Sequence, residues 1–299
     1  MTVSTTHDGR SLPALEAFDF PVGLVLTGDG QVLAEAGETD EVFPFASVTK
    51  PIVAWSALVA VDRGLLSLDD PATPASSGDG GGAGGSDDGG ARAGHQVALP
   101  GATMRHLLSH SSGIAFDSDA VLAPPARRRV YSNRGIEILG ERLVEATGTP
   151  LEEWVETTVL EPLGMASVSV PGSPAYSGQG SAGDLSLFAR ELAAPTLVSP
   201  SLARQACDVV LPELDGVLPG YGRQSPNDFG LGVEIRGSKH PHWTGAGNSP
   251  QTFGHFGQAG SFIWVDPVAG RQAVFLGARP FGRTHVEAWP ALSDQLLAL

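Results

Sequence analysis

Strand-like apolar runs stand at the two ends of this chain, and helical patterning fills the space between them. Residues 22–26 and 31–36 flank Gly28-Asp29-Gly30, two short β-prone runs around a glycine turn, which predicts a hairpin. Residues 261–265 and 272–277 flank Asp266-Pro267-Val268-Ala269-Gly270 and predict a second one. Between them, residues 47–63 read as a helix ending at Gly64, and residues 104–110 as a short helix stopped by Gly113. Two further helices, 132–146 and 151–159, are split by Gly148-Thr149-Pro150. Another runs to Ala194 from Asp184 as its N-cap, and a last one covers 286–297. Strands at both termini with helices between them imply an α+β chain. One antiparallel sheet would be built from both chain ends and flanked by helices, and the middle of the chain would form a helical subdomain.

The helix that opens at Ser47-Val48-Thr49-Lys50 carries the chemistry. The chain has two lysines, Lys50 and Lys239, against sixteen arginines. Residues i and i+3 share a helix face, so the Lys50 amine can reach the Ser47 hydroxyl. A desolvated lysine can lose its proton and act as a base, which a guanidinium cannot. That is one way to activate a serine nucleophile. Pro51 fits only within a first helical turn, which places the helix start at or just before Ser47.

With 299 residues, 41% apolar and 17% charged, the chain can bury a large core as a single domain over 1–299. A net charge of −15 argues against nucleic acid and anionic membrane surfaces as partners. Cys207 is the single cysteine, so no intrachain disulfide is expected. The first fifteen residues lack a basic start followed by an apolar run, and no stretch is long enough to span a bilayer. A cytoplasmic location is the expectation. Residues 75–94 are mostly Gly, Ser, Ala and Asp and read as a flexible surface insertion. The Gly-x-Gly-x-x-Gly match within them lacks the strand and helix of a dinucleotide site, and no cofactor is expected.

Two more motifs follow in order: Tyr131-Ser132-Asn133, and His255-Phe256-Gly257 on a late strand. In this sequence of motifs the chain resembles the serine β-lactamase and penicillin-binding-protein superfamily, and more narrowly the class C β-lactamase-related serine hydrolases. Ser67-Leu68-Asp69-Asp70-Pro71, the run from Met104 through His106-Leu107-Leu108-Ser109-His110 to Gly113-Ile114, and Glu161-Pro162-Leu163-Gly164-Met165 extend the likeness over nearly the whole chain. The resemblance implies a β-lactamase/transpeptidase-like fold and a set of roles. Ser47 would form an acyl-enzyme, and Lys50 would help deprotonate it. Tyr131 would be the shared general base and acid, its phenol tuned by nearby cations, and Asn133 would orient Lys50 or a substrate amide. His255 would stand in place of the lysine of the family's Lys-Thr-Gly. Backbone N–H groups of Ser47 and Gln258 would form the oxyanion hole. Phe256, Gly257 and Trp243 would contact substrate.

The implied function is hydrolysis of a small ester or amide, an esterase in the first place. Alternatives are acyl transfer or D-amino-acid peptidase activity, then β-lactamase activity or a non-catalytic homologue. A histidine at 255 is a weaker carboxylate ligand near neutral pH than lysine, which favours the esterase. Only seventeen residues separate Gly113 from Tyr131, so the wall of the cleft is reduced.

Other clusters invite blander readings. His106 and His110 have metal-ligand spacing but no third ligand, and read as hydrogen-bonded structural histidines; no metal is expected. His240 and His242 read as a solvated loop. Arg127-Arg128-Arg129 also reads as a solvated loop, with an anion-facing role as the alternative. Trp243 and Phe253 either line an acyl pocket or pack their loop. Cys207 reads as buried and inert.

Overall fold

The computed structural model describes residues 5–73 and 98–299. The expected insertion at 75–94 lies outside them. In chain order, β1 (Val22–Gly28), β2 (Gln31–Gly37) and β3 (Phe43–Pro44) lead into α1 (Thr49–Asp62). Then come α2 (Met104–Leu108), α3 (Asn133–Thr147), α4 (Leu151–Val155), α5 (Glu161–Leu163), β4 (Gln179–Gly180), α6 (Ala182–Ala193) and α7 (Pro200–Cys207). The chain closes with β5 (Gly216–Leu218), β6 (Gly222–Gln224), β7 (Glu234–Ile235), β8 (Phe253–Gly257), β9 (Ser261–Asp266), β10 (Arg271–Gly277) and α8 (Arg283–Leu297).

The main sheet has the order β2-β1-β10-β9-β8-β7, with every neighbouring pair antiparallel. The two predicted hairpins therefore meet along β1–β10, and the sheet is built from both chain ends as expected. Asp29 and Gly30 both take positive φ, as a tight hairpin turn requires. Side chains alternate between two cores, the period-2 consequence of the pleat. Leu24, Leu26, Phe262, Trp264, Ala273 and Phe275 face Trp289 and Leu292 of α8. Val25, Ile263, Val265, Val274 and Leu276 face α1, α6 and the helical region. With both faces covered, β1, β8 and β9 are buried along their whole length.

Helix α1 is buried from Thr49 through Ala60, which is why its sequence carries no polar face. Several expected boundaries move. Ser47 lies in a 3₁₀ turn, Ala46–Val48, ahead of the α-helix. The N-cap of α6 is Ser181 rather than Asp184: its Oγ accepts from the Asp184 N–H at 3.1 Å. The helix expected at 151–159 continues from α4 into a π-helical turn, Glu156–Leu160, and then α5. Helix α7 and the β5–β6 hairpin carried no periodic signal long enough to read.

Candidate active site

Ser47 sits where the chain leaves β3 and turns into α1. Ala46 has φ +45°, a left-handed conformation unusual for a residue with a Cβ. The turn is held from three sides. The Phe45 N–H donates to Gly178 O at 2.7 Å. Ser261 Oγ donates to Phe45 O at 2.7 Å, and Thr49 Oγ1 donates to Ala46 O at 2.6 Å. This lifts Ser47, half-buried, to the N-terminal end of α1, where the helix dipole favours developing negative charge.

Lys50, one turn on, is fully buried. Its Nζ lies 3.0 Å from Ser47 Oγ, 2.7 Å from Asn133 Oδ1 and 2.8 Å from the Ala175 carbonyl. Burial pulls its pKa down to about 7, partly offset by the Glu137 carboxylate. A neutral amine has two N–H donors and one lone pair. Asn133 and Ala175 take the two donors, and the lone pair is left for the Ser47 hydroxyl proton. Asn133 is delivered by the first turn of α3, which Ser132 caps by accepting from the Gly135 N–H at 2.9 Å. The Ala175 carbonyl and Glu137 were not foreseen. Glu137 follows Asn133 by four on α3, a spacing that could have flagged it.

Tyr131 precedes that cap, half-buried, and faces the same cavity as Ser47. Lys50 Nζ stands 4.9 Å from its ring centroid. Nearby cations were expected to tune this phenol downward. Instead burial dominates and pushes it above the ordinary tyrosine range, so at neutral pH it is a phenol and a proton donor. Its ring rests on His110 at 4.6 Å, Phe116 at 6.1 Å and His255 at 5.8 Å between centroids. His110 takes φ +53° and accepts from the Ser132 N–H through Nδ1 at 3.2 Å. Burial, with Lys50 and His255 nearby, keeps it uncharged.

His255 lies on β8, buried. Its Nδ1 is 2.7 Å from the Phe256 carbonyl, an acceptor, which assigns the proton to Nδ1. Nε2 is thus an acceptor, buried and without a protein partner. Burial and Lys50 hold the ring's pKa at about 4. His255, read from the resemblance as standing in place of the family's lysine, is therefore a neutral hydrogen-bond acceptor.

Gly257 closes the other side. A Cβ there would stand 2.3 Å from Phe45 O, 2.4 Å from Ser261 Oγ and 3.1 Å from Ser47 N. Only glycine lets β8 approach the nucleophile so closely, and this brings the next residue, Gln258, to the mouth of the site. A cavity of about 160 Å³ results. Ser47, Tyr131, His255, Phe256 and Gln258 line it, together with Phe116, Leu218, Pro219, Phe229 and Glu234, which were not singled out. At ~30 Å³ per water-sized group, it takes roughly five such groups, a short acyl chain.

Trp243 does not line this cavity. It is buried behind Phe256, its indole N–H donating to Glu234 Oε2 at 2.8 Å. Phe253 is likewise core. His242 is not solvated either: it is buried 2.9 Å from Glu234 Oε1, while Lys239 Nζ lies 3.1 Å from the same oxygen. Burial pushes Glu234 up, but Lys239 and His242 outweigh it and hold the carboxyl below its ordinary range. His240 is exposed. Arg127 and Arg128 are exposed, whereas Arg129 turns inward and donates to the carbonyls of Asn227, Ser109, Val210 and Leu211. The His106 Nδ1 accepts from the Thr103 N–H at 3.1 Å, so both histidines of the α2 region are engaged in local backbone bonds. Cys207 is part-buried, its thiol pushed up to about 12 by burial. Among the described residues no group of three His, Cys, Asp or Glu side chains is placed to hold a metal ion. None of the described helices is long and apolar enough to cross a membrane.

The comparisons with known proteins bear on the fold and the family. The structure superposes on a β-lactamase from Mycobacterium bovis with a TM-score of 0.86 and 44% identity, covering 96% of this chain and 98% of that one. It superposes on EstCE1, described as a hydrolase with promiscuous acyltransferase activity, with a TM-score of 0.71, 18% identity and coverage of 94% and 95%, a likeness of fold alone. A putative D-alanyl-D-alanine carboxypeptidase of Salmonella paratyphi B is 28% identical over 52% of this chain and 46% of its own length, so the chain spans about half of the curated relatives it matches. The fold is β-lactamase/transpeptidase-like. With a family model described as Beta-lactamase matched from residue 21 to residue 297, the chain belongs to the Beta-lactamase family of serine hydrolases.

Proposed function

We propose that this chain hydrolyses small esters through an acyl-enzyme on Ser47. The observation that carries the mechanism is the buried Lys50 amine, its Nζ 3.0 Å from Ser47 Oγ and otherwise held by Asn133 Oδ1 and the Ala175 carbonyl. Lys50 takes the Ser47 proton as Oγ attacks the acyl carbon. The oxyanion is met by the N–H groups of Ser47 and Gln258. Tyr131, protonated, donates to the leaving oxygen and is resupplied from Lys50. Water then repeats the sequence on the acyl-enzyme. This moves the base role from Tyr131 to Lys50 and leaves Tyr131 as the acid, following the opposite directions of their shifts.

His255 supports an ester over a β-lactam or a C-terminal peptide. A substrate carboxylate beside the acyl carbon would face the Nε2 lone pair instead of a cation. The small cavity supports a short acyl group. Acyl transfer is the second reading. It draws on the fold shared with EstCE1 and on the acyl-enzyme itself, which an alcohol can take up in place of water. Peptidase activity, suggested by the name of the Salmonella relatives, ranks below both.

The test is p-nitrophenyl butyrate hydrolysis by the native protein and by Ser47→Ala. Turnover lost in the variant supports the reading, and product ratios with added alcohols separate hydrolysis from transfer. Equal turnover in both would sink the Ser47 mechanism. Stoichiometric labelling without turnover would point to a non-catalytic homologue.

A further inference from the structure

Outside the reaction cavity lies a second bay of about 450 Å³. The two share Phe116, Tyr131 and Pro219 as walls, so the bay adjoins the site. Arg128, Asp215 and Arg223 line it as well, beside the apolar Val217. Arg223 is well exposed and bonds Asp215 at 2.5 Å, and Arg128 is exposed. Phe116 and Val217 are half-exposed or more, so the floor is apolar while its edge is charged. Arg129, also at this wall, spends its guanidinium on buried carbonyls and offers nothing outward. The sum of Arg128, Arg223 and Asp215 is one positive charge, in a chain whose net charge is −15.

We propose that this bay is the subsite for the leaving group and that it selects leaving groups bearing a carboxylate remote from the scissile bond. The inference rests on the proposed ester hydrolysis. Three observations carry it. Tyr131, the proton donor to the leaving oxygen, forms the wall between cavity and bay, so the group that departs lies on this side. The reaction cavity itself presents an acceptor, His255 Nε2, which disfavours an anion next to the acyl carbon. The accessible cations, Arg128 and Arg223, stand one wall further out and outweigh Asp215, so the bay favours an anion. An aryl or alkyl spacer would cross the apolar floor between Phe116 and Val217.

The experiment compares 3-(butyryloxy)benzoate with 3-(butyryloxy)benzamide on the native protein and on Arg128→Gln/Arg223→Gln. The ratio of kcat/KM between the esters, compared across the two proteins, cancels their intrinsic reactivities. The expected preference for the benzoate is about fivefold, the range of a part-exposed ion pair, shrinking at high salt and falling toward parity in the double variant. Binding of 3-hydroxybenzoate to Ser47→Ala, with and without the arginine changes, gives a readout that needs no turnover. A ratio that is the same in both proteins, or 3-hydroxybenzoate binding that ignores the arginines, overturns the proposal. Loss of all ester turnover with that binding intact would overturn the hydrolase reading instead.

Discussion

Lys50 approaches Ser47 from inside the protein, its Nζ 3.0 Å from Oγ, and makes no ion pair among the described residues. Its remaining contacts are an amide oxygen and a backbone carbonyl, both neutral acceptors. A buried ammonium without a carboxylate against it is costly, and the pKa near 7 is the consequence. Near neutral pH Lys50 is therefore poised between cation and base.

The pH dependence follows. The lowered pKa means Lys50 is neutral above about 7 and charged below it. Proton abstraction needs the neutral form, so kcat/KM for a neutral ester should rise with pH through about 7 and then level off. His255, near 4, stays uncharged across that range and adds no second limb. Lys50→Arg, which keeps the charge and cannot lose it, should cost on the order of 10²–10⁴ in kcat. A flat profile between pH 6 and 8 would argue against Lys50 as the base.

Tyr131→Phe keeps the ring between His110 and His255 but removes the donated proton. It should lower kcat by about 10²–10⁴ for esters with poor leaving groups. The loss should be smaller for p-nitrophenyl esters, whose leaving oxygen departs without a proton. Equal losses on both ester types would place Tyr131 elsewhere in the cycle.

Gly257→Ala sets a Cβ against Phe45 O, Ser261 Oγ and Ser47 N. The strand must retreat, and with it Gln258. The expected result is a loss of about 1–3 kcal/mol of stability from overpacking. A fall in kcat of about 10²–10³ would match the loss of one oxyanion donor. Urea titration and ester kinetics on the same preparation check both.

Glu234→Gln leaves Lys239 buried with no carboxylate and His242 with a weaker partner. Breaking a buried pair by removing one member costs about 3–5 kcal/mol, so the unfolding midpoint should drop sharply. Replacing Glu234 and Lys239 together by apolar residues should recover part of the loss. A double variant no more stable than the single one would contradict this account of the pair.

How much of this was legible beforehand differs by element. The two hairpins were readable because a period-2 pattern broken by glycine turns is a local signal. Ser47 and Lys50 were readable because helix geometry alone brings i and i+3 together. Trp243, His242 and Lys239 were not. They occupy a Pro- and Gly-rich stretch that looks solvated until Glu234 on β7 gathers all three. Arg129 differs from Arg128 in burial and not in residue type, and only the carbonyls of 109, 210, 211 and 227 show which is structural.

By itself the sequence determined the terminal hairpins, the sheet they form and the Ser47–Lys50 pair, because each rests on local periodicity or near-neighbour spacing, while the α+β fold family and the places of Tyr131, Asn133 and His255 came through the resemblance to known serine hydrolases. Only the tertiary structure decided their protonation. Burial of Lys50 lowers it, burial of Tyr131 raises it, and a carbonyl one residue away orients His255. Desolvation depends on what the rest of the chain packs around a group, and no short stretch of sequence contains that information.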